Sequence, residues 1–164
     1  MNLTQIDLAK LSDDELIVWR IAIEKELRVR KIRFNVGEIG EKLAIKYFNE
    51  TPGLPNLLAA PTGAKNVDAL SRDGDRYTIK PIQRGHKTGT IYPDADDEKK
   101  QLFEYLLLVH LNENFDLESL YRFSWNQFVT NRSWDSRMNA WYIQFSGNKI
   151  QNAEQIFNRN DKTN

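Results

Sequence analysis

Residues 66–83 read NVDALSRDGDRYTIKPIQ, and this stretch decides the fold because it predicts two strands joined by a tight turn. Short runs of period two on both sides of Asp73-Gly74 are typical of a β-hairpin. Asp68, Thr78 and Lys80 have the same parity in the two strands. The hairpin therefore carries a carboxylate, a hydroxyl and an ammonium group that can share one face of a sheet.

The register of the hairpin decides whether these side chains meet. If the loop is Asp73-Gly74-Asp75, with Gly74 in a left-handed conformation, Asp68 lies directly opposite Lys80. A two-residue loop instead pairs Asp68 with Ile79 and turns Lys80 to the other face. A chemical site at this hairpin thus requires the longer loop.

The segments around the hairpin predict a layered fold. A first helix is predicted over about 13–31 and a second from Asn35 to about Asn49, each after a capping residue that is followed three positions later by a glutamate. Strands are predicted at 57–60, 66–71, 76–83, 105–111, 117–123 and 140–145, with a short helix at 124–131. This order predicts an α/β (α+β) fold in which a central mixed β-sheet is backed by the N-terminal helices.

The length of 164 residues fits a single domain. We expect that domain to cover residues 1–157, with its core at about 35–146 and a frayed tail at 158–164.

Composition narrows the class of protein. The chain has no cysteine, which excludes disulfides and thiol chemistry and favours a reducing cytoplasm. The first ten residues, MNLTQIDLAK, lack the features of a signal peptide, and the longest apolar run, Leu106–Val109, is too short to cross a membrane. Lys+Arg and Asp+Glu balance at 23 each, so any nucleic-acid binding must depend on local basic patches.

Metal-dependent cleavage of a phosphodiester needs oxygen ligands for a hard cation and a positive group near the attacking water. Asp68 can serve as a ligand and Lys80 as the positive group. The simpler interpretation is an exposed cross-strand ion pair beside a turn, which contributes only tenths of a kcal/mol.

Two motifs together suggest a family. NVGEIGEKLAIKYF at 35–48, followed by VDALSRDGDRYTIK at 67–80, resembles the restriction endonuclease-like superfamily, whose motif is written PD-(D/E)XK. The resemblance spans about residues 35–124 and implies a cytoplasmic, prokaryotic Mg²⁺- or Mn²⁺-dependent deoxyribonuclease of a restriction or defence type. It implies that Asp68 binds metal, that Lys80 acts on the attacking water, and that Glu38 or Glu41 completes the metal site.

The sequence departs from that motif at two positions. Val67 precedes Asp68 where the family often has proline, and Thr78 occupies the acidic position of the triplet. A hydroxyl is a weaker ligand for a hard cation than a carboxylate. Glu38 and Glu41, one helical turn apart, can restore the lost charge, although Glu38 is equally suited to a capping box and Glu41 to a solvated face. The alternative function is therefore an inactive protein of this fold that binds DNA or a protein partner.

Basic residues near the predicted site can contact phosphate. The nucleic-acid contacts expected after the second hairpin strand are Arg84, His86 and Lys87, and those expected around the end of the first helix are Arg30 and Arg33. A lone loop histidine and a charged helix end are also common on surfaces without function. Double-strand cleavage by a single-site nuclease further favours a homodimer, or a partner subunit.

Overall fold

The computed structural model describes residues 6–162, which divide into two compact units, one ending at Asn35 and the other beginning at Val36. Residues 1–5 and 163–164 lie outside the described part of the chain. Part of the segment examined for a signal peptide and the last two residues of the expected tail therefore lie outside it too.

The first unit is built around one long helix. A 3₁₀ turn at Leu8–Lys10 precedes α1, which spans Asp13–Val29. The hydroxyl of Ser12 accepts from the Glu15 amide, and the Glu15 carboxylate accepts from the Ser12 amide, so the predicted capping box is present. The helix ends two residues earlier than predicted.

The second unit is α+β, as predicted, with a central mixed sheet of six strands. Its helices are α2 (Val36–Glu50), α3 (Trp125–Asn131) and the short α4 (Gly147–Ile150). Its strands are β1 (Leu57–Ala59), β2 (Ala69–Ser71), β3 (Arg76–Ile82), β4 (Tyr105–Leu111), β5 (Leu117–Ser124), β6 (Ser133–Asp135), β7 (Ala140–Tyr142) and β8 (Glu154–Asn158).

The order of strands in the main sheet is β1-β2-β3-β4-β5-β8, and β6 pairs with β7 in a separate small sheet. Only β3 and β4 run parallel, and all other neighbours are antiparallel. The apolar sequence YLLLVHL forms β4, which lies between β3 and β5 with most of its residues buried. The prediction of a central strand at 105–111 is therefore confirmed.

The sheet has an apolar layer on each face because β3 and β4 alternate their buried side chains between the two sides. On one face Tyr77, Ile79 and Leu107 pack with α2 residues such as Ala44 and Phe48. A second apolar cluster packs on the opposite face of the sheet. Its buried members are Ile82, Ile91, Leu102, Phe103, Leu106, Leu108, Phe123, Phe128, Trp141 and Ile143.

Helix α2 approaches β3 closely at one point. A Cβ atom added to Gly40 would lie only 2.4 Å from both Cβ and Cγ of Pro81. Glycine therefore allows the helix backbone to lie against the proline ring. Pro81 lies beyond the part of β3 that pairs with β2, where its missing N–H costs no ladder hydrogen bond to that strand.

The hairpin between β2 and β3 has the predicted parity but a different loop. Ser71 N–H donates to Asp75 O at 2.9 Å, so Arg72, Asp73 and Gly74 form the three-residue loop, with Gly74 at φ +89°. The expected loop of residues 73–75 is therefore wrong by one position. Ala69 pairs with Tyr77, which brings Asp68 beside Thr78 rather than opposite Lys80.

Several short or weakly patterned elements were not predicted from the sequence. Strand β8 is an edge strand in a polar segment, and its side chains are only half buried or exposed, so its alternation is weak. Strand β6 has three residues and α4 has four, too few to show a period. A 3₁₀ turn at Arg159–Lys162 follows β8 in the segment expected to be frayed.

Among the helices of residues 6–162, none combines the length and the apolar character needed to span a bilayer.

Candidate functional site

Asp68 is positioned by β3 through one of its carboxylate oxygens. The amide of Ile79 donates to Asp68 Oδ2 at 2.6 Å, and the hydroxyl of Thr78 donates to the same oxygen at 3.1 Å. The backbone amide of Asp68 also donates to Tyr77 O at 2.8 Å. These contacts fix the carboxylate at the start of β2 and hold it against the neighbouring strand.

Lys80 lies close to that carboxylate. Its Nζ is 3.8 Å from Asp68 Oδ2, and the side chains of Lys80 and Asp68 are 20% and 24% exposed. The distance is too long for a direct hydrogen bond but short enough for an ion pair between two partly buried groups. Because Lys80 does not donate a hydrogen bond to Asp68, its ammonium group can donate to another oxygen.

Thr78, which stands where the motif has an acidic residue, is completely buried. Its hydroxyl is used to orient Asp68 rather than to face an open cleft. In this conformation the Thr78 hydroxyl orients the Asp68 carboxylate.

The two helix glutamates border a cleft that also reaches Asp68. The cleft has a volume of about 380 Å³ and lies between the first two turns of α2 and the segment from β1 to β2. Its lining includes Glu38, Glu41 and Asp68, the three carboxylates singled out from the sequence. The close contact of Gly40 with Pro81 explains how this end of the helix comes so near to the hairpin.

Electrostatics links these groups. Burial raises the pKa of the Glu41 carboxyl above its usual value of 4.5, and the negative charges of Asp68 and Glu38 raise it further, while Lys80 opposes the increase. Crowded carboxylates of this kind favour a bound proton or a bound cation.

The donor set fits a magnesium ion held by few protein groups. Among residues 6–162, no three His, Cys, Asp or Glu side chains are close enough to form a ligand cluster by themselves. Mg²⁺ commonly uses one or two carboxylates and completes its shell with water and substrate phosphate. Asp68 and Glu41, which line the same cleft and repel each other electrostatically, are two carboxylates that could meet this smaller requirement.

The loop after β3 contacts both the segment before Asp68 and the small sheet. Asn66 Nδ2 donates to Tyr92 O at 3.3 Å, which connects the end of this loop to the segment before Asp68. Arg84 and His86 are exposed, as a phosphate contact requires. Lys87 instead pairs with Asp135 at 3.2 Å and lies over the ring of Tyr142 at 5.1 Å, so part of its charge is already engaged.

The remaining predicted phosphate contacts, Arg30 and Arg33, belong to the first unit. Arg30 Nε is 2.6 Å from Glu26 Oε1 in an exposed i,i+4 pair. The positive charge of Arg30 is therefore partly offset on its own helix.

Some lining residues were missed by sequence reasoning. Lys42 and the loop Pro61–Ala64 form walls of the cleft. Lys42 follows Glu41 directly within the motif at 35–48, and this position could have indicated that Lys42 lines the same cleft. The loop carries only a turn signal at Thr62-Gly63, which says nothing about which cleft it borders.

No protein-family model matches this chain, and a comparison with curated proteins finds no match either.

Proposed function

We propose that the second unit is a Mg²⁺- or Mn²⁺-dependent endonuclease that hydrolyses phosphodiester bonds in DNA, of the restriction endonuclease-like type. The observation that carries the proposal is the position of Lys80 Nζ, 3.8 Å from Asp68 Oδ2, beside a cleft that Asp68 shares with Glu41. The two carboxylates provide oxygen ligands for a hard cation, and the adjacent, partly buried ammonium group provides the positive charge near the attacking water.

Each residue has a distinct role in the proposal. Asp68 and Glu41 hold the cation, and Glu38 lines the same cleft. Thr78 and the Ile79 amide orient Asp68. Lys80 donates to the attacking water or to the phosphate oxygen on which negative charge increases.

A bound divalent cation supplies positive charge against the scissile phosphate and makes a nearby water more acidic. The protein contributes geometry: one carboxylate fixed by two donors, a second held on a helix, and an ammonium group 3.8 Å from the first carboxylate.

Thr78 also favours a second candidate function, an inactive nuclease-like protein that binds DNA or a protein. Its hydroxyl replaces a carboxylate and is fully buried, so the site lacks one negative charge that the family motif provides. Under this alternative, Asp68 and Lys80 stabilise the hairpin and perform no chemistry.

Cleavage of supercoiled plasmid and of linear DNA, with Mg²⁺ or Mn²⁺ and with EDTA, tests the proposal. We expect metal-dependent nicking by the wild type and at least about a hundredfold loss in Asp68→Asn and in Lys80→Met. Lys46→Met is the matched control, because Lys46 is an exposed lysine of α2 outside the cleft. A wild type without metal-dependent cleavage would leave the inactive alternative. Cleavage that survives both site variants would contradict the roles given to Asp68 and Lys80.

A further inference from the structure

Helix α1 exposes large apolar side chains along its length. None of its residues is buried. The exposed ones include Leu16, Ile17, Val18, Trp19, Ile21, Ile23 and Val29, with exposures from 39% to 76%. An exposed apolar surface of this size marks an interaction site.

One part of this surface has the spacing of a helix-pairing seam. Leu16, Trp19, Ile23 and Leu27 recur at intervals of three and four residues, and we call them the α1 seam. The seam borders a groove of about 400 Å³ within the first unit, whose other apolar walls are Leu8 and Phe34. Such a groove can accept side chains from a second helix.

Charge is distributed unevenly along the same helix. The first turn holds Asp13, Asp14 and Glu15. The last turn holds Arg28, and Arg30 and Lys31 follow it. A second copy of α1 lying antiparallel would bring the acidic end of each helix to the basic end of the other, whereas a parallel copy would oppose like charges.

We propose that α1 is a dimerisation helix, which pairs antiparallel with α1 of a second copy of this chain along the α1 seam. At about 25 Å, the helix is long enough to place Leu16 against Leu27 and Trp19 against Ile23 of the second copy. The two-fold symmetry makes the same contacts twice. This surface is independent of the chemistry proposed for the second unit.

Sedimentation equilibrium of the full chain, at several protein concentrations, tests the seam. We expect a dimer for the wild type and at least about a tenfold increase of the dissociation constant for Ile23→Glu. Ile21→Glu is the matched control, because Ile21 and Ile23 are both about half exposed but lie about 200° apart around the helix axis. A monomeric wild type, or equal weakening by both variants, would overturn the proposal.

Charge reversal tests the orientation without altering the apolar seam. Asp13→Lys/Asp14→Lys should weaken self-association, and so should Arg28→Glu/Arg30→Glu, while an equimolar mixture of the two proteins should recover wild-type affinity. Circular dichroism verifies that each variant keeps its helix. If either variant self-associates as strongly as the wild type, the antiparallel pairing is wrong.

Discussion

The hydroxyl of Thr78 and the amide of Ile79 donate to the same oxygen of Asp68. This arrangement gives Thr78 a defined physical role even though it is not acidic. Because the side chain is fully buried, a replacement must keep its shape in order to isolate the hydroxyl.

Thr78→Val keeps the shape and removes one hydrogen bond to a carboxylate. We expect a loss of about 1–2 kcal/mol of unfolding free energy and only a small decrease in metal affinity, since Ile79 N–H still holds Asp68. Urea unfolding measures the unfolding free energy, and calorimetric titration with Mn²⁺ measures the metal affinity. Thr78→Ser, which keeps the hydroxyl, is the control. A Thr78→Val protein that loses all metal binding would show that the hydroxyl is itself a ligand.

Glu41 links stability to pH. Its pKa is raised in the folded protein, so the folded state favours the protonated carboxyl, and stability is lost as the pH rises from about 4.5 through the higher folded value. We therefore expect Glu41→Gln to raise the Tm modestly at pH 7.5 without divalent metal and to leave it unchanged at pH 3.5.

Differential scanning calorimetry at the two pH values measures the effect of Glu41→Gln. Glu50→Gln is the matched control, because Glu50 is an exposed glutamate at the other end of α2. Addition of Mg²⁺ should then raise the Tm of the wild type more than that of Glu41→Gln. Equal increases of the Tm in the wild type and in Glu41→Gln would show that Glu41 does not bind the metal.

The sequence predicted that Asp68, Thr78 and Lys80 share a face because strand side chains alternate with a period of two, and moving the loop by one position keeps this parity. The prediction that Asp68 lies directly opposite Lys80 was wrong. The sequence did not predict which residue lies beside Asp68, since that depends on the hydrogen bond from Ser71 to Asp75. The family roles of these residues remain predictions.

The close approach of helix α2 to strand β3 sets the position of the cleft. Helices and strands with a clear apolar period, such as α2 and β4, were predicted almost to the residue. The distance between them was not, because it depends on the absence of a single Cβ at Gly40. A glycine in a helix looks unfavourable in sequence until its packing partner is known.

Gly40→Ala tests this contact. The added methyl group would overlap the Pro81 ring, so we expect a loss of about 1–3 kcal/mol in spite of the better helix propensity of alanine, and a weaker metal affinity as Glu41 moves away. Thermal unfolding and metal titration measure the two effects. Gly147→Ala is the control, since its Cβ would meet no atom within 4 Å. Unchanged stability in Gly40→Ala would show that the helix does not depend on this contact.

The whole chain has a net charge of zero, so any DNA binding must depend on a few local cations. Arg84 is exposed, whereas Lys87 is paired with Asp135. The two residues should therefore contribute unequally to phosphate binding.

We expect Arg84→Ala to weaken DNA binding for all sequences and to reduce the slope of log K against log salt by about 1. Lys87→Ala should have a smaller effect, because its ion pair is broken when phosphate binds. Fluorescence anisotropy at several salt concentrations measures both slopes, with Lys46→Ala as control. An unchanged slope in Arg84→Ala would exclude this loop from the interface.

Joint binding of one divalent cation by Asp68 and Glu41 can be seen by anomalous scattering from a crystal of the full chain soaked in Mn²⁺. We expect an anomalous peak about 2 Å from a carboxylate oxygen of each residue, and no peak there in crystals of Asp68→Asn. A well-ordered cleft without that peak, while Mn²⁺ is bound elsewhere on the molecule, would show that Asp68 and Glu41 do not bind a cation together.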